Sequence, residues 1–578
     1  MNRVSSRFSP VLVLLAFSVL LGAGGERAGA ATPGSRLDEA LAGPPKIVGF
    51  HIDMNIAQFR GAYLKERLKL LAGLGYNTIL WEVENNIRWE TCPECVAPEA
   101  FTKEEFKDIL AAGRSLGLEP IPLLQTIGHC EYVLKTGKYQ HLAELPERID
   151  QYCPQNPEVV TFLQRWIDEY LEVFGDVRYF HLGADEAYAL GECPRCRAYA
   201  EKHSLSELYI DHVNAVSQPL ADKGIRPAIW GDMILHHPEA LVRLSRKVVV
   251  FDWLYDRYHG SGQIQVWGQG NRQPEDLDAA TRERFGRFLY PFGDEPGRDP
   301  DPFYTASFLQ GQGFDVVLCP SSSCTGDSVF APRTYFHLRN VSDTFRQGMS
   351  GERKGAVLTS WTVHLFPWEL QEPSIELPAF LRRHPEGGLA AYEEAYALEH
   401  FGAGGRRFFS AAGRLAKRGL FNYAADLGFF KDARPAPKDY ILNRLAESAK
   451  SGELEKEAES CRTRLKEYRE GLVEFRALSK AAPKGKKELE HWDLAARNLV
   501  NRAEAALVLL ESRAKTGDDG VRGEAGRVLD ELRALRRETE ADYLTRIKPQ
   551  RTREIMHWMY DSVETALEKL FFSKSVSG

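Results

Sequence analysis

No Gly-x-Gly-x-x-Gly turn follows the first β-rich run of this chain, which argues against a dinucleotide-binding open sheet. Basic excess is also missing. The 74 Lys and Arg stand against 81 Asp and Glu, a net charge of −7 with a pI near 6.2, so nothing points to nucleic acid as a partner. No stretch beyond residue 30 is long and apolar enough to span a bilayer. Histidines in a metal-binding spacing are lacking too: His51, His129 and His181 stand near three separate strands and match no zinc motif, which weakens a metal-dependent hydrolase. Cysteine is scarce. There are nine, an odd number, so at least one is free or paired outside the chain.

What is present begins with an export signal. Arg3 and Arg7 precede a short apolar run, Val11 to Leu21, and Ala28-Gly29-Ala30 offers small residues for cleavage. Residues 1–30 therefore read as a signal peptide and 31–45 as a linker, which predicts a periplasmic or extracellular protein. No Cys follows the apolar run, so a lipid anchor is not expected. Two Cys-x-x-Cys turns stand out, Cys92-Pro-Glu-Cys95 and Cys193-Pro-Arg-Cys196. Their four sulfurs suit either a tetrahedral structural zinc or, in an exported protein, disulfides paired across the two turns.

From Lys46 onward, short β-rich runs alternate with helical ones. Strands are expected at 47–53, 78–83, 119–126, 179–185, 226–232, 247–255, 315–321 and 355–362. Helices are expected between them, one of them opened by the capping pair Thr102 and Glu105. Residues 256–300 read as a Gly/Pro/Asp-rich insertion containing Trp267. Eight such units predict an α/β fold, a (β/α)₈ TIM barrel over residues 46–385. Beyond residue 386 the period changes. Leu454, Ala458, Cys461 and Leu465 open a stripe of three- and four-residue steps; Trp492 and Leu529 open two more. That spacing predicts an α-helical bundle over 386–578.

Barrel chemistry gathers at the C-terminal strand ends. There the chain puts Asp53, Glu84, His129, Asp185, Glu186, Trp230, Trp253, Tyr255 and Trp361. Asp185 is expected as the last strand residue and Glu186 as the first of the loop, so both acids can lean over one rim. Paired carboxylates suit glycoside hydrolysis. The usual retaining scheme, however, needs its two carboxyl groups about 5 Å apart on opposite sides of the bond. Neighbouring residues are poorly placed for that. A substrate whose own 2-acetamido oxygen attacks the anomeric carbon removes the requirement: one acid orients the amide and the other protonates the leaving oxygen. Apolar walls and the Asp185 charge should then raise the pKa of Glu186.

The stretch His181-Leu-Gly-Ala-Asp-Glu186 resembles the His-x-Gly-x-Asp-Glu signature of family 20 glycoside hydrolases, the β-N-acetylhexosaminidases. Pro122 to Lys135 and the Glu-rich Ile79 to Glu90 are similar to segments of its hexosaminidase D-like branch; the resemblance covers roughly Lys46 to Pro367. It implies an exo-acting, retaining enzyme on terminal N-acetylhexosamines in glycans, needing no cofactor. It implies Asp185 for orienting the acetamido group, Glu186 as acid/base and Tyr255 on the acetamido oxygen. Trp230, Trp253 and Trp361 would wall the sugar, His129 would support the acid, and Asp53 and Glu84 would meet ring hydroxyls. Three departures are visible. Ala184 replaces a second Gly, the small preceding α/β domain is missing, and Arg60 lies too far along strand one to replace the usual sugar-binding Arg. The alternative of another class is a catalytically silent barrel that binds amino sugars.

Overall fold

A computed structural model describes residues 46–260, 264–267, 270–273, 276–291, 299–402, 406–427, 439–514 and 519–572. The expected signal peptide and linker lie outside them. The strands are β1 (Ile47–Asp53), β2 (Thr78–Glu82), β3 (Glu119–Leu123), β4 (Tyr179–His181), β5 (Arg226–Trp230), β6 (Val249–Trp253), β7 (Ile264–Val266), β8 (Gly270–Arg272), β9 (Asp315–Cys319), β10 (Ser321–Ser323) and β11 (Gly355–Ser360). Eight of them pair in parallel in the order β1-β2-β3-β4-β5-β6-β9-β11, and β11 returns to β1, closing the barrel. At the seam Ile47 faces Gly355, whose φ is +139°; a side chain there would meet the Ile47 carbonyl oxygen at 2.0 Å. Only glycine lets the two strands close.

Every residue of β1, β2 and β11 is buried. Strands covered on both faces read as continuous apolar runs rather than alternation, which is why composition revealed them. Leu80, Ile121, Leu123, Trp230, Phe251, Val317 and Val357 fill the inside of the barrel, and Trp253 and Trp361 pack on that plug. A second core lies between the strands and the surrounding helices and runs on into the C-terminal helices. The capping box forms as expected: Thr102 accepts from the Glu105 amide and the Glu105 carboxylate accepts from the Thr102 amide.

The strand ends differ from expectation. β3 stops at Leu123 and β4 at His181. Pairing continues through single bonds, Leu182 N–H to Ala228 O at 2.8 Å and Trp230 N–H to Gly183 O at 2.9 Å. The backbone itself has left the extended region, with φ of +60° at Gly183 and +69° at Ala184. The 256–300 insertion is structured where described: it holds the β7–β8 hairpin and a helix, Ala279–Leu289.

Four long helices, Leu454–Ala481, Lys486–Ala514, Asp519–Tyr543 and Pro549–Phe571, pack in sequence order. The three predicted stripes are on their buried sides; the fourth helix was not anticipated. This layer docks on the loops after β1 and β11. Arg60 donates from its backbone to Arg546 O at 2.7 Å and from Nε to Leu544 O at 2.7 Å, and Tyr543 Oη donates to Leu365 O at 2.6 Å. Arg60 is thereby engaged away from any sugar. Among the described residues no helix is long and apolar enough to cross a membrane.

Candidate active site

Asp185 and Glu186 do reach one cavity, of about 200 Å³, at the C-terminal end of the strands. They do so by a route other than the expected one. Both belong to the loop, and Ala184 and Glu186 take left-handed backbone angles, φ +69° and +47°. The turn that results carries both carboxylates to the same side. It is held from beneath: Tyr209 Oη donates to Ala184 O at 2.6 Å, and the Glu186 amide donates to Asp232 Oδ2 at 3.0 Å. It is held from the side by the loop after β3. Gly128 lies so close that a Cβ there would stand 2.0 Å from the Asp185 carbonyl oxygen.

That contact puts His129, itself at φ +56°, between the acids. Its Nε2 is 3.3 Å from Asp185 Oδ2 and 3.3 Å from Glu186 Oε2. The two carboxylates differ in environment. The Asp185 side chain is 6 % exposed and the Glu186 side chain 36 %, so Glu186 is the one within reach of solvent and of a departing group. Asp185 Oδ1 is buried without a hydrogen-bond partner. Such an acceptor costs roughly 1–3 kcal/mol if left unmet, a strong demand for a donor from a ligand.

Trp253, Tyr255 and Trp361 line the same cavity, as expected. Trp253 and Tyr255 stack at 5.3 Å, and Trp361 Nε1 donates to Tyr255 Oη at 2.7 Å. Burial pushes the Tyr255 phenol well up, so it keeps its proton to donate. Trp230 is different. It is fully buried in the barrel plug, 4.4 Å from the His181 ring and 6.0 Å from Trp361, and it supports the wall instead of forming it. Its side chain follows the two-residue strand alternation inward, one layer below the rim.

Asp53 lines the cavity, but its oxygens are engaged. Oδ2 accepts from the Thr362 amide at 2.8 Å and hydroxyl at 3.0 Å, and Oδ1 from the Asn55 amide at 2.7 Å. Burial, then the charge of Glu82, raises its pKa. Glu84 does not line this cavity. It accepts from Asn55 Nδ2 at 3.1 Å and borders a larger neighbouring cavity of about 560 Å³, shared with Glu131, Arg551 and Trp558. Asn55 borders both.

Sequence reasoning missed Asn55, Thr325 and Val363 in the lining. It also gave no role to Tyr188, whose Oη donates to Glu186 Oε1 at 3.3 Å. Asp232 was noted only as the end of strand five. Burial, then the charge of Asp185, holds its carboxyl well above the usual range. Its place at the end of the expected strand 226–232, directly after Trp230 and Gly231, was the available signal.

The cysteines depart from both expected forms. Cys92 and Cys95 are bonded to each other within their own turn, so the two turns neither share a metal nor cross-pair. Cys193 and Cys196 are instead beside Cys153 and Glu144. His51, His129 and His181 belong to none of the donor groups close enough to hold an ion among the described residues. His51 Nε2 bonds Glu82 Oε2 at 3.0 Å, and His181 Nδ1 accepts from the Gly183 amide at 3.0 Å.

The chain is similar to proteins already known. The family described as "Glycosyl hydrolase family 20, catalytic domain" matches residues 60–272. Bovine (Bos taurus) Hexosaminidase D is 31 % identical over 238 residues, 38 % of this chain and 69 % of that protein. Human (Homo sapiens) Hexosaminidase D is 32 % identical over 324 residues, 54 % of this chain and 59 % of that protein. Among solved structures, a beta-N-acetylhexosaminidase from Bacteroides fragilis is 16 % identical with a TM-score of 0.44, covering 61 % of this chain and 70 % of its own.

Proposed function

Since the chain belongs to glycosyl hydrolase family 20 and is a glycoside hydrolase, we propose that it removes terminal β-linked N-acetylhexosamines by a retaining, substrate-assisted route. Glycans bearing such residues are its partners in this reading. The observation that carries it is the buried, unpartnered Oδ1 of Asp185 beside the more exposed Glu186 on one cavity. Asp185 accepts the acetamido N–H and offsets the charge that grows on that nitrogen as its carbonyl oxygen attacks the anomeric carbon. Glu186 protonates the departing oxygen and later takes a proton from water. His129 holds both carboxylates in register, and Tyr255 donates to the acetamido oxygen.

Asp53 supports the route by what it is unable to do. Its oxygens are occupied by Thr362 and Asn55, which leaves no carboxylate in the described lining to serve as an opposing nucleophile. The cavity volume supports an exo mode. At about 200 Å³ it is smaller than sites for drug-sized ligands, roughly 300–1,000 Å³, and suits one sugar with its amide. In the same reading residues 46–385 are the catalytic barrel, 386–578 a supporting helical domain, and 1–30 direct export; fractionation of a tagged chain tests the last.

Chromogenic β-GlcNAc and β-GalNAc substrates test the reaction, with the first-formed anomer followed by proton NMR. Turnover with β product is expected. An α product, or equal hydrolysis of the matching glucoside, would overturn it, because neither needs the amide. Asp185→Asn should lose activity on the acetamido substrate and change little on one lacking that group. A binding protein without catalysis would show sugar binding by calorimetry and no turnover.

A further inference from the structure

Away from the sugar cavity, Glu144, Cys153, Cys193 and Cys196 bring one carboxylate and three sulfurs together. All four are buried, and their donor atoms lie within 4.8 Å of one another. Cys153 Sγ is 3.7 Å from Cys193 Sγ and 3.5 Å from Cys196 Sγ, and Cys196 Sγ is 3.1 Å from Glu144 Oε2. A disulfide would need about 2.05 Å. Zinc with thiolates at about 2.3 Å in a tetrahedron sets its sulfurs about 3.8 Å apart. The observed spacings match the second case.

The surroundings are built for anions. Cys193-Pro-Arg-Cys196 opens the helix Pro194–Lys202, so the cluster sits at the positive end of that helix. The Cys196 amide donates to Cys193 Sγ at 3.4 Å, and the Cys193 amide fixes Glu144 through Oε1 at 2.9 Å. Arg195 Nη2 is 3.8 Å from Cys153 Sγ. By contrast, the nearby-in-kind group Cys324, Asp327 and His337 is already satisfied, since Asp327 is taken up by His337 Nε2 at 2.8 Å and Arg333 Nε at 3.0 Å.

We propose that Glu144, Cys153, Cys193 and Cys196 bind one structural Zn²⁺, and that this ion fastens the two loops that carry the catalytic groups. Binding displaces the three thiol protons to solvent and leaves the metal four-coordinate. Glu144 and Cys153 are in the connection that carries His129; Cys193 and Cys196 cap and open the helix Pro194–Lys202, just after the loop that carries Asp185 and Glu186. Short links join the metal ligands to those residues. The Tyr152 amide donates to Ile127 O at 2.9 Å, Gln151 Oε1 accepts from the Ala189 amide at 2.8 Å, and the Cys153 amide donates to Leu142 O at 2.8 Å. The zinc thus acts on position, not on the substrate.

Elemental analysis of the full chain, purified without chelator, tests the site. One zinc per chain is expected, and Cys196→Ser should lose it. Replacement with Co²⁺ should give sulfur-to-cobalt charge-transfer absorption, weaker in Cys153→Ser. Melting temperature and kcat/KM should fall together on chelation and recover together with Zn²⁺. Thiol counting in denaturant without reductant keeps the proposal falsifiable if the variants fail to fold. Seven thiols are expected, the free cysteines of the structure. Substoichiometric metal with five thiols, seven less the two of a new disulfide, would overturn it.

Discussion

The rim of the barrel and the helical layer behind it are built on opposite terms. At the rim, Glu84, His129, Ala184 and Glu186 have left-handed backbone angles, and Asp185 Oδ1 and Asp232 Oδ1 are buried without partners. In the layer the helices are regular and many of their charges are paired: Arg497 with Asp493 and Glu538, Arg533 with Glu564, Arg469 with Glu504; Arg502, buried with Nε and Nη1 unmatched, is an exception. The first region holds strain and unmet polarity where a ligand can use them; the second supplies the stability that tolerates it. The difference teaches that stability and activity should respond to different substitutions.

The largest effect should come from the rim. Glu186→Gln is expected to cut kcat on substrates with poor leaving groups about 10²–10⁴-fold, the range for a lost acid/base, with little change in melting temperature. A variant that lost stability instead would break the comparison. The layer gives the reverse. Trp492 is fully buried, stacked on Phe475 at 5.4 Å and edge-on to Phe408 at 5.4 Å. Trp492→Ala should cost about 3–5 kcal/mol in urea titrations while kcat/KM at 25 °C stays near wild type.

A pH effect should separate the regions further. His400 bridges Glu488 at 2.8 Å and Glu376 at 3.0 Å. Burial opposes its charge, but the two carboxylates outweigh burial and push it up to about 10. The folded chain therefore holds a proton that the unfolded chain releases above its own pKa of about 6.5. This stabilisation is complete below about 6.5 and is lost as pH rises through about 10. His400→Gln should flatten the fall of the urea midpoint over that window. The smallest effect returns to the rim: Ala184→Gly relieves φ +69° and should raise stability by about 0.5–1 kcal/mol.

How much was legible follows the same division. β1 was read to its residue, and the capping box and the three apolar stripes were read from local pattern, because strands buried on both faces and amphipathic helices write their environment into consecutive residues. The Asp185-Glu186 pair, His129, Trp253, Tyr255 and Trp361 were legible because barrel loops start where strands end. Trp230 was misplaced because the sequence marks the strand end and not the layer within the plug. Glu84 was misplaced because its left-handed turn re-aims it. Cys153 and Glu144 were not singled out since they meet Cys193 and Cys196 across 40 and 52 residues of chain. Only folding makes that neighbourhood.

The docking of Arg60 on Leu544 joins residues 484 positions apart in the chain. A ribosome delivers the first of them long before the second. Until residues near 544 emerge, Arg60 lacks these partners, so this dock is completed only late in biosynthesis.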